Sequence, residues 1–237
     1  MRFERPLTPA RLIKRYKRFL ADVAFDDGSV VTAHVANPGA MLGLAEPGAR
    51  VLLSRSDNPN RKLPWSWEMV EAEPIGGVPQ WVGVNTAQPN RLVAEALRAG
   101  ALAPFAEYVS IRPEVKYGKA SRVDFVLARE GAPPCYLEVK NCHLMREEGI
   151  AEFPDCVAAR SARHMAELAA MKGEGARAAL VYVVQMRAQR FAVAADIDPV
   201  YAAACRAARE AGVEVYAYCC RVGPEELAIG TPIPVAD

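Results

Sequence analysis

Apolar and polar residues alternate along the early part of the chain: Phe19, Ala21, Val23 and Phe25 fall on one side, Asp27-Gly28 interrupts, and Val31, Ala33 and Val35 resume the pattern. Successive side chains of a strand point to opposite faces, so residues 11–35 read as a long β-hairpin closed by an Asp-Gly turn. Short apolar runs follow, punctuated by Asn37-Pro38-Gly39, Pro47-Gly48, Asn58-Pro59-Asn60 and Gly76-Gly77. That spacing predicts a small antiparallel barrel ending near residue 85.

The period changes at Gln88, where Leu92, Val93, Ala96 and Leu97 recur at helical spacing before a closing Gly100. A boundary near 86 divides the chain into an all-β part, 1–86, and a second part, 87–237. The second part offers strands at about 107–116, 121–129 and 134–141, then a helix near 155–172. The strand AALVYVVQM, the helix DPVYAAACRAAREAG and the strand VEVYAYCC complete an α/β pattern.

Composition changes this picture little. A 51% apolar fraction in 237 residues supplies a packed core. The 29 basic and 28 acidic residues nearly cancel, so an anionic partner must be met by local patches. Six cysteines without a CxxC pair read as reduced, mostly buried thiols. The opening MRFERPLTPA carries charge and prolines where a signal peptide is apolar, and no run approaches the roughly 18 apolar residues of a membrane span. A cytoplasmic protein with no membrane partner is expected; oligomeric state is left open.

The candidate chemistry sits in CYLEVKN, residues 135–141. On a strand Glu138 and Lys140 share one face while Leu137 and Val139 pack into the core. Asp124, in SRVDFVL, can be brought beside Glu138 by a neighbouring strand, giving two hard oxygen ligands for Mg²⁺ or Mn²⁺. The Val139 carbonyl could add a ligand, and Glu95 on the preceding helix a third carboxylate. Lys140 would be the adjacent point charge that orients water and stabilises charge on phosphorus. The bland alternative is a solvated ion pair worth about 0.2–1 kcal/mol.

RLIKRYKR, residues 11–18, places Arg11, Lys14, Arg15, Lys17 and Arg18 together without an acid, which suits phosphate contact along a strand running from 11 to 25. Arg61 and Lys62 precede Trp65 and Trp67 in a Pro-flanked loop, where base stacking competes with simple packing. Lys116, Lys119 and Arg122 lie just before Asp124. His164 follows Arg160 by four residues, so both can face one site.

The stretches RLIKRYKRFLADV, HVANPGAM, VNTAQPNRLVAEAL, EVKYGKASRVDF, YLEVKN and FPDCVAARSARHMAEL, in order along nearly the whole chain, resemble the motifs of the sugar fermentation stimulation protein A family. The resemblance implies an N-terminal OB-fold barrel followed by an α/β PD-(D/E)xK restriction-endonuclease-like domain. Its nuclease motif falls on Asp124, Glu138 and Lys140, with Glu95 as the helix carboxylate. It also implies a nucleic-acid partner, DNA before RNA, and a link to sugar-metabolism genes. Two departures stand out. Asn37-Pro38-Gly39-Ala40-Met41 replaces N-T-G-x-M, and Ala158-Ala159-Arg160-Ser161 replaces T-x-R-G, losing a hydroxyl and a glycine. Three functions compete: a metal-dependent nuclease, a non-catalytic DNA-binding regulator with a vestigial site, and an enzyme of small phosphorylated sugars, which the lack of GxxxxGK[ST] disfavours.

Overall fold

In a computed structural model that describes residues 2–73, 78–117 and 121–236, the early alternation resolves into three strands: β1 (Thr8–Tyr16), β2 (Leu20–Ala24) and β3 (Val30–His34). β2 and β3 pair around the Asp27-Gly28 turn, with Ala21 opposite Ala33. The expected single strand from 11 to 25 is corrected. Lys17 and Arg18 take φ of +48° and +61° and fold β1 back onto β2, Tyr16 opposite Leu20. Two consecutive left-handed residues make a tight hairpin turn, usually signalled by Asn-Gly; Lys-Arg gives no such signal. Phe19 therefore sits beside the turn, 46% exposed, not on the buried face.

β4 (Arg50–Arg55) and β5 (Trp65–Ala72) complete the barrel, in the order β3-β2-β1-β4-β5, and His34 meets Ser66 in parallel to close it. This is an OB-type five-stranded barrel; β6 (Gln80–Gly83) extends β5. Trp65 and Trp67 are strand residues, not loop residues. Trp67 is wholly buried and its indole N–H donates to the Met69 carbonyl at 2.8 Å, so for this residue packing is the correct reading. The expected Gly76-Gly77 turn lies outside the described residues.

The second part follows as α1 (Gln88–Arg98), β7 (Ser110–Tyr117), β8 (Ser121–Ala128), β9 (Cys135–Cys142), β10 (Leu144–Glu147), β11 (Ile150–Phe153), α2 (Ala159–Gly173), β12 (Arg177–Val184), β13 (Arg190–Val193), α3 (Pro199–Glu210), β14 (Glu214–Val222) and β15 (Leu227–Ile233). The main sheet runs β15-β14-β12-β9-β8-β7, parallel through β9, β12 and β14 and antiparallel outside them. Leu137, Val139 and Val181 pack with the apolar stripe of α1 on one face. Leu180 and Tyr182 face α2 and α3 on the other. β10, β11 and β13 form a separate small sheet that the sequence reading did not anticipate.

α2 begins at Ala159 and not near 155, because residues 154–158 form a turn that carries Asp155 to the barrel. Ala158 offers no capping side chain; instead Asp198 accepts from the Ala158 N–H at 2.7 Å and, through its other oxygen, from the Tyr201 N–H at 2.9 Å. One buried aspartate thus serves the starts of two helices.

Neither large apolar cluster stops at the boundary. One runs from Leu12, Val23 and Trp67 of the barrel to Met165 and Tyr182, and the other joins Leu52 and Met69 to Leu92 and Leu137. No helix among the described residues is long and apolar enough to cross a membrane.

Candidate active site

The two-residue period of β9 sets Glu138 and Lys140 side by side, with Lys140 Nζ donating to Glu138 Oε1 at 2.7 Å. His164 of α2 contacts the same oxygen through Nδ1, and Lys140 Nζ lies 3.4 Å from that nitrogen. One turn earlier on α2, Arg160 Nε lies 3.3 Å from His164 Nε2, so the four-residue spacing does bring both to one place. Glu138 is 2% exposed and Lys140 9%, which sets this pair apart from a solvated ion pair. Burial pushes the Glu138 carboxyl up, but His164 and Lys140 together outweigh it and hold the group below its ordinary range. Its second oxygen, Oε2, is buried with no hydrogen-bond partner.

Asp124 reaches the site from β8, accepting from Asn90 Nδ2 and from the Val139 N–H, both at 2.7 Å. It is thus the amide of Val139 that faces this carboxylate. Burial, and then the charge of Glu138, push the Asp124 carboxyl up to about 6, against the pull of its two donors. The outer side of Asp124 lines an open groove of about 740 Å³ between α1 and β7–β8, shared with Arg91, Glu95, Arg98 and Glu114. Glu95 therefore approaches Asp124 from the α1 side, whereas Glu138 and Lys140 meet α2.

Asp124 and Glu138 offer carboxylate oxygens of the kind a hard divalent cation takes, with the nitrogens of Lys140 and His164 beside them. Among the described residues no three His, Cys, Asp or Glu side chains converge closely enough, as placed, to hold a metal. Mg²⁺ commonly takes only one or two carboxylates, and the unpartnered Glu138 Oε2 beside Asp124 fits such a ligand set. Asn90, Tyr117 and Glu167 also belong to this neighbourhood and were not singled out from the sequence. Burial first, then Glu138, Glu167 and Asp124, raise the Tyr117 phenol far above its ordinary value. The sequence signal for Glu167 was its position three residues after His164.

The basic residues divide into occupied and open ones. Arg15 donates to the carbonyls of Arg18, Asn37, Gly39 and Ala40, bracing the NPGA loop. Arg11 donates to the Gly48 carbonyl and Arg61 to Ser66 Oγ. Lys14 lies over the Tyr16 ring and 3.5 Å from Asp22, an acid that β2 brings to the stretch. Lys17 and Arg18 form the exposed hairpin tip, and Lys62 and Arg160 are exposed. Arg122 is exposed opposite Lys116 across β7–β8. Lys119 lies outside the described residues.

A closed OB barrel fused to an α/β sheet that carries Asp124, Glu138 and Lys140 on adjacent strands defines an OB protein with a restriction-endonuclease-like second part. Among family models, residues 13–84 match the SfsA N-terminal OB domain and residues 87–226 the sugar fermentation stimulation protein RE domain. A sugar fermentation stimulation protein homolog of Methylorubrum extorquens is 65% identical over 235 residues, covering 99% of this chain and 94% of that protein. The homolog of Azorhizobium caulinodans is 52% identical over 236 residues, covering 99% of each. The structure of Pyrococcus furiosus SfsA in complex with Ca²⁺ shares the fold at a TM-score of 0.88 and 22% identity, covering 100% of this chain and 98% of that one. The chain belongs to the sugar fermentation stimulation protein family.

Proposed function

We propose that this protein is a cytoplasmic, DNA-directed phosphodiesterase in which residues 1–86 hold the strand and residues 87–237 carry the chemistry. The observation that supports it most is the buried Glu138, which shares one oxygen with Lys140 and His164 and leaves the other without a partner. Asp124 and Glu138 would hold Mg²⁺ or Mn²⁺, which when bound supplies Lewis acidity toward a phosphodiester oxygen. Lys140, fixed by Glu138, positions the attacking water and offsets charge developing on phosphorus. His164, held by Arg160, keeps Glu138 ionised. Glu95 shapes the groove beside Asp124. The exposed Lys17, Arg18, Lys62, Arg122 and Arg160 supply phosphate contacts that scale with salt.

One observation favours a second reading, a DNA-binding regulator of sugar-metabolism genes with a vestigial site. Both oxygens of Asp124 and one of Glu138 are already engaged by protein donors, as in a site retained for stability. Cleavage of end-labelled single- and double-stranded DNA by wild type and Lys140→Ala, with Mg²⁺, with Mn²⁺ and with chelator, separates the two. Metal-dependent products that vanish in the variant are expected. Binding without products from either protein would establish the regulator.

A further inference from the structure

A hollow of about 470 Å³ opens where the N-terminal segment, the ends of β4 and β5 and the first turn of α1 meet. Its walls carry Phe3, Arg5, Arg55, Trp65 and Arg91. Arg55 and Trp65 are cross-strand partners, and the guanidinium lies 5.5 Å over the indole. Trp65 also packs against Phe25, ring centres 5.1 Å apart, yet it stays half-buried and reaches the hollow, unlike the enclosed Trp67. The floor is built from one buried carboxylate. Glu68, 4% exposed, accepts from Ser54 Oγ at 2.7 Å, Asn85 Nδ2 at 2.9 Å and Gln88 Nε2 at 2.8 Å, which ties β5 to α1. Gln88 Oε1 in turn accepts from Arg91 Nη1 at 3.4 Å and so orients that guanidinium. Arg91 also lines the open groove at Asp124, and its neighbour Asn90 donates to the Asp124 carboxylate. Hollow and groove therefore meet at one arginine, and Arg98 continues the same stripe of α1 along the groove.

The charges of the hollow favour an anion. Of its three acids, Asp57 is paired with Arg5 at 2.9 Å and Glu68 has both oxygens engaged in the floor, which leaves Glu4 against Arg2, Arg55 and Arg91. An indole beside guanidinium groups, in a hollow within the roughly 300–1,000 Å³ of small-ligand sites, fits a nucleotide: the ring stacks on a base and the cations take its phosphate. A base inside a duplex is paired and stacked, and enters such a hollow only if it is first flipped out. Resting on the DNA-binding reading given above, in either of its versions, we infer that this hollow seats a nucleotide of single-stranded DNA, its base against Trp65 and its phosphate on Arg55 and Arg91, and that Arg91 hands the strand on to the groove at Asp124.

Fluorescence anisotropy of a labelled oligothymidylate and of a labelled blunt duplex, titrated with the full chain in chelator across a salt series, tests this on wild type, Trp65→Leu, Arg55→Gln, Arg91→Gln and Arg18→Gln. Circular dichroism checks the fold of each variant. The wild type is expected to hold the single strand at least 10-fold more tightly than the duplex. Trp65→Leu is expected to weaken the single strand roughly 5- to 100-fold, the loss of one base stack. Arg91→Gln is expected to weaken it several-fold and to flatten its salt slope by about 0.7, one phosphate contact on a single strand. Arg55→Gln, a change at an exposed strand end, is expected to act like Arg91→Gln and carries the test if Trp65→Leu does not fold. Wild-type single-strand affinity in Trp65→Leu and Arg91→Gln, with loss in Arg18→Gln, overturns the inference and leaves the DNA-binding reading standing. A duplex held as tightly as the single strand also overturns it. No binding of either DNA by the wild type overturns both.

Discussion

Gly39→Ala is expected to loosen the junction between barrel and sheet. A Cβ at Gly39 would lie 2.5 Å and 2.7 Å from the two carboxylate oxygens of Asp155, far inside ordinary contact. The side chain of Asp155 cannot swing away cheaply, because it accepts from the Met41 N–H at 2.8 Å and lies 3.3 Å from His143 Nε2. Burial raises its pKa, yet His143 and the Met41 amide hold it down at about 2, against an ordinary 3.8. A depression of that size corresponds to about 2 kcal/mol of folded-state stabilisation. Displacing the carboxylate loses this and leaves the Met41 amide unpaired, so the substitution should cost about 2–4 kcal/mol at pH 7, out of a typical 5–15. The sign with pH follows. A folded pKa below the unfolded one contributes stability above pH 3.8 that disappears as pH falls toward 2. The gap between wild type and variant in urea denaturation should therefore hold from pH 7 to 5 and begin to close below 4. In an Asp155→Ala background, Gly39→Ala should cost nothing further, since the clashing group is gone. A gap under about 0.5 kcal/mol at pH 7, within ordinary surface-substitution scatter, would refute the argument.

Replacing Lys17-Arg18 by Asn-Gly should raise stability by about 1–2 kcal/mol, because both residues sit in left-handed backbone. The same change should lower DNA affinity and flatten its salt slope by about two phosphate contacts, read by fluorescence anisotropy across a salt series. Trp67→Phe should destabilise the barrel yet leave DNA affinity unchanged, since this indole is fully enclosed; a parallel loss of affinity would contradict its packing role. Asp198→Ala removes caps from α2 and α3 together and should cost about 2–3 kcal/mol in thermal unfolding, twice an ordinary cap.

The sequence was most readable where a short-range rule determines geometry. Asp27-Gly28, the α1 stripe closing at Gly100, and the shared face of Glu138 and Lys140 follow from turn chemistry and from periods of 3.6 and 2. The Lys17-Arg18 turn escaped because neither residue favours positive φ; surrounding strand pairing overrides local preference there. The basic stretch holds no acid of its own, and its partners, Asp22 and the carbonyls of the NPGA loop, arrive only through folding. β10, β11 and β13 are four residues each, too short to show a period. Asn90 and Glu167 were within quoted motifs, but which face of the sheet each helix covers is decided by long-range topology.

On the proposed function, the continuity of the two apolar clusters across residue 86 would make the molecule a ruler. A hinged pair of modules lets a held strand wander before it reaches the chemistry. Here the Lys17-Arg18 tip is tied through Arg15 to the NPGA loop, and that loop through the Met41–Asp155 contact to the second part of the chain. A nuclease built this way would count nucleotides from its grip by geometry alone.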